Sequence, residues 1–509
     1  MHVYETNLLA LKEKNPLLAF QLLTAPSTET TQYSEPFPKS EAKVLYTWGV
    51  GDEKWVIEAL KWVDRNVSRK LVILKHCPSD FRPFLEKKSA EKVVKHPQVT
   101  LSCEPLEETL KSFIWSHLYE PWECQAPPHV KTRVADIILG IELTVCLYRD
   151  FGIPQLMNVF SNLTTPQKIQ KGEALSGHFK KVPAVICGAG PSLEKSMDTL
   201  KTLENHALIF GGGSALLPLS THQIPVHFAV ALDPDSPRER FLKQSYFEVP
   251  LFYQNSVSHS LFMHSQGPKL CLGQKGSFPL EKELGVDLKP YDVGWNAATF
   301  ATQIAYQLGC DPIIFVGMDL CVYPEKEYAG QMEELRENSI ECIDRFGSMV
   351  RTRPDFLMAK KWLESFAQSH PNCNFLNASE SGLELEGIPY TDLDLKQAPF
   401  DLKSKVHQAV VAAPFLNVSQ VPEKLQAIYQ SINRCDELLG SAREKELDLE
   451  LFYQEHLLPN WEVWKHFLQK EEIVKEMEDP EIEKKLQQTI FFKEVTQSFR
   501  REYERKLSI

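Results

Sequence analysis

The sequence predicts an α/β protein with two Rossmann-like, doubly wound domains followed by a helical C-terminal region. Short apolar runs alternate with amphipathic segments in two separate series, and glycine-rich turns follow several of these runs. Such alternation is typical of parallel βαβ units. The 509 residues are 43% hydrophobic and 24% charged, an ordinary globular composition, and the length predicts more than one domain.

The first series predicts an N-terminal α/β domain over residues 1–125. Its opening, NLLALKEKNPLLAFQLL, has helical spacing that is interrupted by Pro16. KVLYTWGVGDEKWVIEALKWVDRN then predicts a strand, a glycine turn and a helix. KLVILKHC and QVTLSCE predict further strands, and LEETLKSFIWSHLYE predicts a helix. A helical connector is expected over residues 126–178.

The second series predicts a central α/β domain over residues 179–400. The expected strands are AVICG, ALIFG, HFAVALD, LFYQN, KLCLG and IIFVGMD. The expected helices between them are SLEKSMDTLKTL, SALLPLSTH and NAATFATQIAYQL. Residues 401–509 are charged, poor in glycine and helical in period, which predicts a helical C-terminal region.

Charge and cysteine usage restrict the possible functions. The net charge of −12 argues against nucleic-acid binding as the main function. No apolar run approaches the length of a membrane span, and the N-terminus does not resemble a secretory signal. The 11 cysteines show no metal-ligand spacing, so we expect reduced thiols and a cytoplasmic location.

The turn GAGPS, residues 188–192, is the first candidate binding element. It follows a strand and opens a helix, so the free backbone amides of Gly188, Gly190 and Ser192 and the positive helix end are expected to face a phosphate. Pro191 presets φ for the first helical turn and removes a donor that would be unpaired anyway. Leu193 stands where the dinucleotide fingerprint needs a third glycine, and no Walker A lysine follows. A tight βα turn without a ligand is the alternative.

Other candidates lie at the ends of predicted strands, where open α/β sheets bind ligands. Asp233 ends HFAVALD and Asp235 follows two residues later; both are suited to bind a sugar hydroxyl, a ribose or a metal, although Asp-Pro is also a turn signal. Asn296 is expected to cap a helix or to contact a ligand. The remaining candidates at strand ends are Gly212, Ser214 and Asp319.

Taken together, the ordered motifs resemble the motility-accessory-factor (Maf) family. They are ICGAGPSLEK, GGGSALLPL, VALDPD, GWNAATFATQIAYQLGCDPIIFVGMDL and NASESGLELEGIPYTDL. The central part is similar to the domain that this family shares with archaeal 6-hydroxymethylpterin diphosphokinase (MptE-like) proteins. The resemblance implies an N-terminal α/β domain and a helical C-terminal domain around that centre.

The resemblance also implies a reaction and a site. The activity implied is transfer of a nonulosonic acid, such as pseudaminic or legionaminic acid, from a CMP-linked donor to serine or threonine of flagellin or of another acceptor protein. Gly188, Gly190, Pro191 and Ser192 would then lie beside the nucleotide phosphate. The same cleft would be lined by Gly212, Ser214, Asp233, Asn296 and Asp319. A loop over the sugar would comprise Asn377 to Gly382, including Glu380.

The sequence departs from the family pattern at two places. Tyr328 stands where family members often carry a histidine, and Ser381 and Leu383 interrupt the usual EGGA element. If the missing histidine is the catalytic base, another residue must replace it, and His259 is a candidate. A single histidine near a strand end is nevertheless more often structural than catalytic.

Three functions therefore stay open. A glycosyltransferase would use Asp233 or Asp235 to stabilise the cationic sugar or to accept a proton. A pyrophosphokinase acting on a hydroxymethylated pterin would need ATP and Mg²⁺, with Asp233, Asp235 and Asp319 as metal ligands. A non-catalytic nucleotide-sugar-binding protein is the third. The N-terminal domain and the helical tail favour the first, because a single-domain kinase needs neither.

Overall fold

The computed structural model describes residues 3–24, 36–103, 114, 117, 120–235, 248–274, 280–323, 339–395 and 399–438. The chain forms two compact units, residues 1–145 and 146–509. The boundary between them falls within one long helix, Pro128–Thr164. The four-part division expected from the sequence stays a prediction.

The secondary structure alternates strands and helices along most of the chain. The α-helices are Val3–Lys14, Pro16–Thr24, Glu53–Asp64, Arg82–Leu85, Ala90–Lys95, Pro128–Thr164, Met197–Thr202, Leu216–Thr221, His259–His264, Leu280–Glu283, Ala297–Leu308, Pro354–Ser369, Leu402–Ala412 and Val421–Leu438. The 3₁₀ helices are Pro78–Phe81, Gly172–Leu175, Pro191–Ser196 and Gly213–Ala215. The strands are β1 (Val44–Trp48), β2 (Lys70–Lys75), β3 (Val99–Cys103), β4 (Trp122–Gln125), β5 (Ile169–Lys171), β6 (Ala184–Cys187), β7 (Leu208–Gly212), β8 (Phe228–Ala231), β9 (Leu251–Tyr253), β10 (Lys269–Cys271), β11 (Gly273–Gln274), β12 (Pro290–Tyr291), β13 (Ile313–Val316), β14 (Ile340–Ile343), β15 (Met349–Thr352) and β16 (Phe375–Asn377).

The first unit contains a parallel four-stranded sheet in the order β3-β2-β1-β4. The helix Glu53–Asp64 is capped by Asp52, whose side chain accepts a hydrogen bond from the Trp55 amide. Its buried face, which includes Trp55 and Val63, packs into the core of this unit. Strands β1 to β3 confirm the prediction, whereas β4 was not predicted. Most of the predicted helix at residues 106–120 lies outside the described residues.

The second unit is built on a parallel eight-stranded sheet in the order β16-β13-β6-β7-β8-β9-β10-β5. All six predicted central strands are present. Sequence reasoning missed the two edge strands, β5 and β16, each only three residues long. The chain proceeds from β6 outward to β10 on one side, whereas β13 and β16 add on the other side. The direction of winding therefore reverses between β6 and β13, and such a switch point leaves a crevice at the carboxyl ends of the strands.

Hydrophobic cores cover both faces of this sheet. Side chains of a strand alternate between its faces, so Val185 joins one core while Ala184 and Ile186 join the other. The helix Ala297–Leu308 buries Phe300 against the second core, as its helical spacing predicts. Burial on both faces explains why the strands read as continuous apolar runs.

The fold class predicted from the sequence is confirmed, with some differences in detail. The helical connector was expected to extend to residue 178, but its helix ends at Thr164 and β5 follows. The antiparallel hairpin β14–β15 was not predicted. The predicted C-terminal helices are present at Leu402–Ala412 and Val421–Leu438, and residues 439–509 lie outside the described part. No helix among the described residues is both long and apolar enough to cross a membrane.

Candidate functional site

A cleft of about 460 Å³ lies at the carboxyl edge of the eight-stranded sheet, beside the switch between β6 and β13. The predicted site residues that line it are Gly188, Gly190, Gly212, Ser214, Asp233, Asp235 and Asn296. The predicted residues outside its lining are Pro191, Ser192, His259, Asp319, Asn377, Glu380 and Gly382. The structure therefore brings together the residues that follow β6, β7 and β8, as the rule for strand ends predicts.

The expectation of unpaired amides at the 188–192 turn is wrong. The Gly188 amide donates to the Val316 carbonyl and the Gly190 amide to the Gly317 carbonyl, both at 2.8 Å. A Cβ on Gly188 would lie 2.3 Å from the Gly317 carbonyl oxygen, so this glycine permits close approach of two backbones. Pro191 opens a 3₁₀ helix of six residues. The first glycine and the turn therefore serve the packing of β6 against β13.

The positive end of that short helix is already neutralised by Asp319. The Ser192 amide donates to Asp319 Oδ2 at 2.9 Å, and the Ser192 hydroxyl donates to Oδ1. A Cβ on Gly190 would lie 2.5 Å from the Asp319 carboxyl carbon, so the second glycine makes room for this side chain. Asp319 is fully buried, and burial raises the pKa of its carboxyl although the hydrogen bonds from Ser192 oppose the shift. Its carboxyl group thus accepts the hydrogen bonds from Ser192 that were expected to reach a phosphate, and phosphate binding at this turn stays a prediction.

The 377–383 loop packs against Asp319, and none of its residues lines the cleft. The Ser381 hydroxyl donates to Asp319 Oδ2 at 3.3 Å, and a Cβ on Gly382 would lie 2.4 Å from the Asp319 Cα. Asn377 Oδ1 accepts a hydrogen bond from the Ser379 amide. Ser381, one of the two departures from the family pattern, therefore has a structural role.

The other members of that loop also have structural partners. Leu383 is buried in the core, and its amide donates to the Asp319 carbonyl at 2.9 Å. Glu380 forms an exposed ion pair with Lys195 at 3.3 Å. Tyr328, the remaining departure, lies outside the described residues.

Two helix N-termini open on the cleft. Gly213–Ala215 continues directly into Leu216–Thr221, and Gly212 provides no side-chain cap. Within the described part of the chain, no acceptor is placed against the amides of Ser214 and Ala215. The second helix begins at Ala297. A Cβ added to Gly212 would lie only 2.9 Å from the Cβ of Ala297, so the two helix starts are neighbours. Two positive helix ends thus converge on one wall, which favours an anion there.

Asn296 fulfils the capping role predicted for it. Its Oδ1 accepts hydrogen bonds from the amides of Ala298 at 3.0 Å and Thr299 at 2.9 Å, and the Thr299 hydroxyl accepts from the Asn296 amide. Because Oδ1 is engaged by the helix, the side-chain NH₂ group is the part of Asn296 suited to donate to a ligand in the cleft.

Asp233 and Asp235 are exposed and also line the cleft, on the turn that follows β8. Asn158 of the long helix fastens this turn, because its Nδ2 donates to the Pro234 carbonyl at 2.8 Å. The Ser258 amide donates to the Asp233 carbonyl at 2.9 Å. The two carboxylates therefore sit on an anchored backbone beside the two helix ends.

His259 lies next to this turn but does not line the cleft. It begins the helix His259–His264, and its amide donates to Asn158 Oδ1 at 3.1 Å. Its Nδ1 is 2.8 Å from Asn162 Oδ1. The predicted candidate base is thus connected to the acidic turn through one shared asparagine.

Sequence reasoning missed a cation in the cleft. Arg353 follows β15 and its Nε donates to Asp355 Oδ1 at 3.0 Å, while the guanidinium lies 4.5 Å from the Phe356 ring centroid. All three residues line the cleft, as does Trp295. The hairpin that precedes Arg353 was not predicted, so no sequence signal placed this arginine near the glycine turns.

The two thiols that line the cleft are poor nucleophiles. Burial raises the pKa of Cys187 and of Cys321 to about 12, so both stay protonated at neutral pH. Within the described ranges, no group of three or more His, Cys, Asp or Glu side chains is placed to hold a metal ion. Both oxygens of Asp319, one of the three metal ligands expected for a kinase, accept hydrogen bonds from serines.

Residues 157–325 match the family model described as 6-hydroxymethylpterin diphosphokinase MptE-like. The matched region covers about a third of the chain and shows what this part of the chain is similar to. This region contains the strands β5 to β13 and therefore the turns after β6, β7 and β8 that line the cleft. Arg353 and the 377–383 loop lie outside the matched residues.

The fold is similar to that of a solved glycosyltransferase. The structure described as a Maf glycosyltransferase from Magnetospirillum magneticum AMB-1 aligns with a TM-score of 0.55 and 14% sequence identity. The alignment covers 99% of this chain and 82% of that chain. The resemblance to Maf proteins is confirmed at the level of the fold. No curated protein matches the sequence.

Proposed function

We propose that the chain is a glycosyltransferase that moves a nonulosonic, sialic-acid-like sugar from a CMP-linked donor to a hydroxyl of an acceptor protein. The observation that carries the proposal is the cleft at the switch point, which is lined both by two helix N-termini and by two exposed carboxylates. The fold shared with a Maf glycosyltransferase supports it. The chain is expected to act in the cytoplasm.

The donor phosphate belongs on the wall formed by Gly212, Ser214 and Ala297. Amides at helix N-termini stabilise an anion through direct hydrogen bonds and through the helix dipole. The same groups stabilise the phosphate as it leaves with the electron pair of the broken glycosidic bond. Asn296 donates from the same wall, and Trp295 offers an aromatic surface beside it.

The sugar ring belongs between this wall and the turn that carries Asp233 and Asp235. A glycosyl transition state develops positive charge on the sugar, and a nearby carboxylate stabilises it. Asp235 is exposed on an anchored turn, which suits either this role or acceptance of the proton from the acceptor hydroxyl. Arg353 is suited to contact the carboxylate of a nonulosonic acid from the side of the cleft that it shares with Asp355.

The MptE-like match supports a second candidate, a pyrophosphokinase that uses ATP and Mg²⁺ on a hydroxymethylated pterin. Asp233 and Asp235 are the carboxylates suited to bind Mg²⁺ in that case, since both line the cleft. Asp319, the third Mg²⁺ ligand expected for the kinase, is buried and accepts hydrogen bonds from serines. This arrangement favours the glycosyltransferase, which does not need Asp319 as a metal ligand.

Ligand binding tests the choice directly. Thermal unfolding of the full chain is measured with CMP, with CDP, and with ATP and Mg²⁺. A ligand present at 100 times its Kd stabilises the folded chain by about 2.7 kcal/mol. We expect CMP to raise the midpoint and ATP with Mg²⁺ to leave it unchanged. The reverse result would favour the kinase.

Turnover separates the candidates further. Release of CMP from a CMP-linked nonulosonic acid supports the glycosyltransferase, release of AMP from ATP and a pterin supports the kinase, and binding without turnover supports a non-catalytic protein. Asp235→Asn is expected to lower the rate about 10²-fold or more, as for loss of a charged catalytic group. Asp198→Asn, which changes an exposed aspartate outside the cleft, is the matched control.

A further inference from the structure

A second cavity, of about 730 Å³, lies in the first unit, and none of the residues that line it lines the cleft described above. The helix Glu53–Asp64 contributes Trp55 and Trp62 to its lining, and Arg65 follows the end of this helix. Positions three, four or seven residues apart lie on one helix face, so these side chains form one row. The segment 36–41, which precedes β1, also lines the cavity. A volume of this size is typical of small-molecule sites.

The two tryptophans differ in what their indole N–H groups bind. Trp55 and Trp62 are only 5% and 3% exposed, and both rings belong to the core of this unit. Nε1 of Trp62 donates to the Ser40 carbonyl at 2.8 Å. Within the described part of the chain, no acceptor lies within hydrogen-bond distance of Nε1 of Trp55. A buried indole N–H usually has a partner, so this unpaired donor in the wall of a cavity points to an acceptor supplied by a ligand.

The unpaired donor belongs to the first turn of the helix. A Cβ on Gly51 would lie 2.8 Å from Cδ1 of Trp55, the ring atom bonded to Nε1, so this glycine lets the ring edge approach the turn before the helix. Asp52 caps the helix by accepting from the Trp55 amide at 2.8 Å. The amides of Glu53 and Lys54 have no acceptor among the described residues. The positive end of this 12-residue helix therefore keeps two unpaired amides and favours an anion.

The charges around the cavity leave positive groups unpaired. Of the acids that line it, Glu41 forms an ion pair with Arg69 at 2.9 Å. Glu58 forms one with Lys61 at 3.3 Å, and Asp52 is the helix cap. The cations that line the cavity are Lys39, Lys54 and Arg65. None of these cations has an ion pair with another described residue, so the cavity attracts an anion although the whole chain carries a net charge of −12.

We propose that this cavity binds an organic phosphate, with the phosphate group at the start of the helix Glu53–Asp64. The Trp55 indole and the amides of Glu53 and Lys54 donate to the phosphate oxygens, and the Lys54 ammonium supplies the opposite charge. Three donors match the three terminal oxygens of a phosphate better than the two oxygens of a carboxylate. The site is separate from the proposed transferase reaction and does not depend on it.

The size and lining of the cavity require more than a free phosphate ion. A volume of about 730 Å³ leaves room for an organic body beside the phosphate. Arg65 stands eleven positions after Lys54, about 16 Å farther along the helix, so one phosphate does not contact both cations. The apolar residues available to the body are Pro36, Phe37, Pro38 and Trp62.

Binding is measured on the full chain with inorganic phosphate, glucose 6-phosphate and AMP as probes. The indole N–H signals of the ¹⁵N-labelled chain report on Trp55, whose signal is assigned through Trp55→Phe. We expect each probe to move the Trp55 signal and to leave that of Trp62 in place, because Trp62 is already bonded to Ser40. The esters should bind about 10-fold more tightly than inorganic phosphate, and the tighter ester distinguishes a nucleotide from a sugar phosphate.

Substitutions locate the phosphate within the cavity. Lys54→Gln should raise the Kd of the esters about 10-fold or more, because it removes a contact between two charged groups. Trp55→Phe keeps an aromatic ring but removes the indole N–H, and should raise the Kd similarly. Lys88→Gln changes an exposed lysine of the same unit that does not line the cavity, so it is the matched control and should leave the Kd unchanged.

Three results would overturn the inference. If no probe moves the Trp55 signal, the cavity does not bind phosphate. If the probes bind but Lys54→Gln has the same Kd as Lys88→Gln, the phosphate lies elsewhere on the chain. If inorganic phosphate binds as tightly as both esters, the ligand has no organic body in contact with the cavity. These results come from the wild-type chain and from variants of exposed lysines, so none of them depends on a variant that fails to fold.

Discussion

Replacement of Asp319 distinguishes a carboxylate that holds the fold from one that holds a ligand. Asp319→Ala leaves the Ser192 amide and hydroxyl without their acceptor in a buried site. An unsatisfied buried donor costs about 1–3 kcal/mol, so the two donors predict a loss of about 2–6 kcal/mol in the free energy of unfolding. Asp319→Asn should lose less than about 1 kcal/mol, because its amide oxygen can accept from the Ser192 amide and its NH₂ group can donate to the hydroxyl.

Hydrogen exchange and urea unfolding measure this prediction. Peptides that cover residues 188–193 and 379–383 should exchange faster in Asp319→Ala, by about 10²-fold or more, and almost normally in Asp319→Asn. The pH dependence of the unfolding free energy gives a second test. Because burial raises the pKa of Asp319, the folded state binds the proton more tightly, and stability falls as pH rises from the unfolded pKa toward the folded one. Asp319→Asn should remove that slope.

The opposite pattern would refute the reasoning. If Asp319→Asn abolished binding of CMP, or of ATP with Mg²⁺, while exchange and unfolding stayed as in the wild type, the carboxylate would contact the ligand and not the fold. Ser381→Ala provides a graded comparison, since it removes one hydroxyl donor at 3.3 Å and should have a smaller effect than Asp319→Ala.

Three further predictions concern other parts of the second unit. Gly188→Ala should lower the urea midpoint strongly, because the new Cβ would lie 2.3 Å from a backbone oxygen. Gly347→Ala is the control: its Cβ would meet open space, and its positive φ should lower the free energy of unfolding by only about 1 kcal/mol. Equal losses in the two variants would contradict the packing argument. Glu281 is buried with a raised pKa caused mainly by desolvation, so stability should fall as pH rises above about 4.3 toward the folded pKa, and Glu281→Gln should flatten that part of the unfolding curve; an unchanged slope would show that another group titrates. Glu380→Gln breaks an exposed ion pair with Lys195 and should change the unfolding free energy by less than about 1 kcal/mol, so a larger loss would indicate a role beyond this contact.

Local pattern was sufficient for most of the fold. The helix Ala297–Leu308 is predicted from its apolar face, from Asn296 at its start and from Gly309 after its end, and the structure places Gly309 in the left-handed region with φ of 87°. The strands β6 to β10 read as apolar runs because both faces of the sheet are covered. A three-residue strand such as β5 is too short to show a period, which explains why the sheet edges were missed.

The site was predictable only where it depends on strand ends. Gly212 and Asp233 line one cleft because carboxyl ends of parallel strands share one edge, and Asn296 joins them as the residue predicted to begin a helix. The partner of Ser192 was not predictable, because Asp319 stands 127 positions away and its side chain could equally have faced the cleft. Arg353 follows an unpredicted hairpin and belongs to no motif.

The contact between Asp319 and the 188–192 turn bears on how glycine-rich turns are interpreted in other chains. A protein can satisfy the positive end of a helix with an acid of its own, supplied by the neighbouring strand of the sheet. The spacing of the glycines is the same whether the helix N-terminus binds an acidic side chain of the protein itself or an anion from solution. An acidic residue at the end of the adjacent strand is then the feature to look for, because its side chain can accept the hydrogen bonds of the helix N-terminus in place of a ligand.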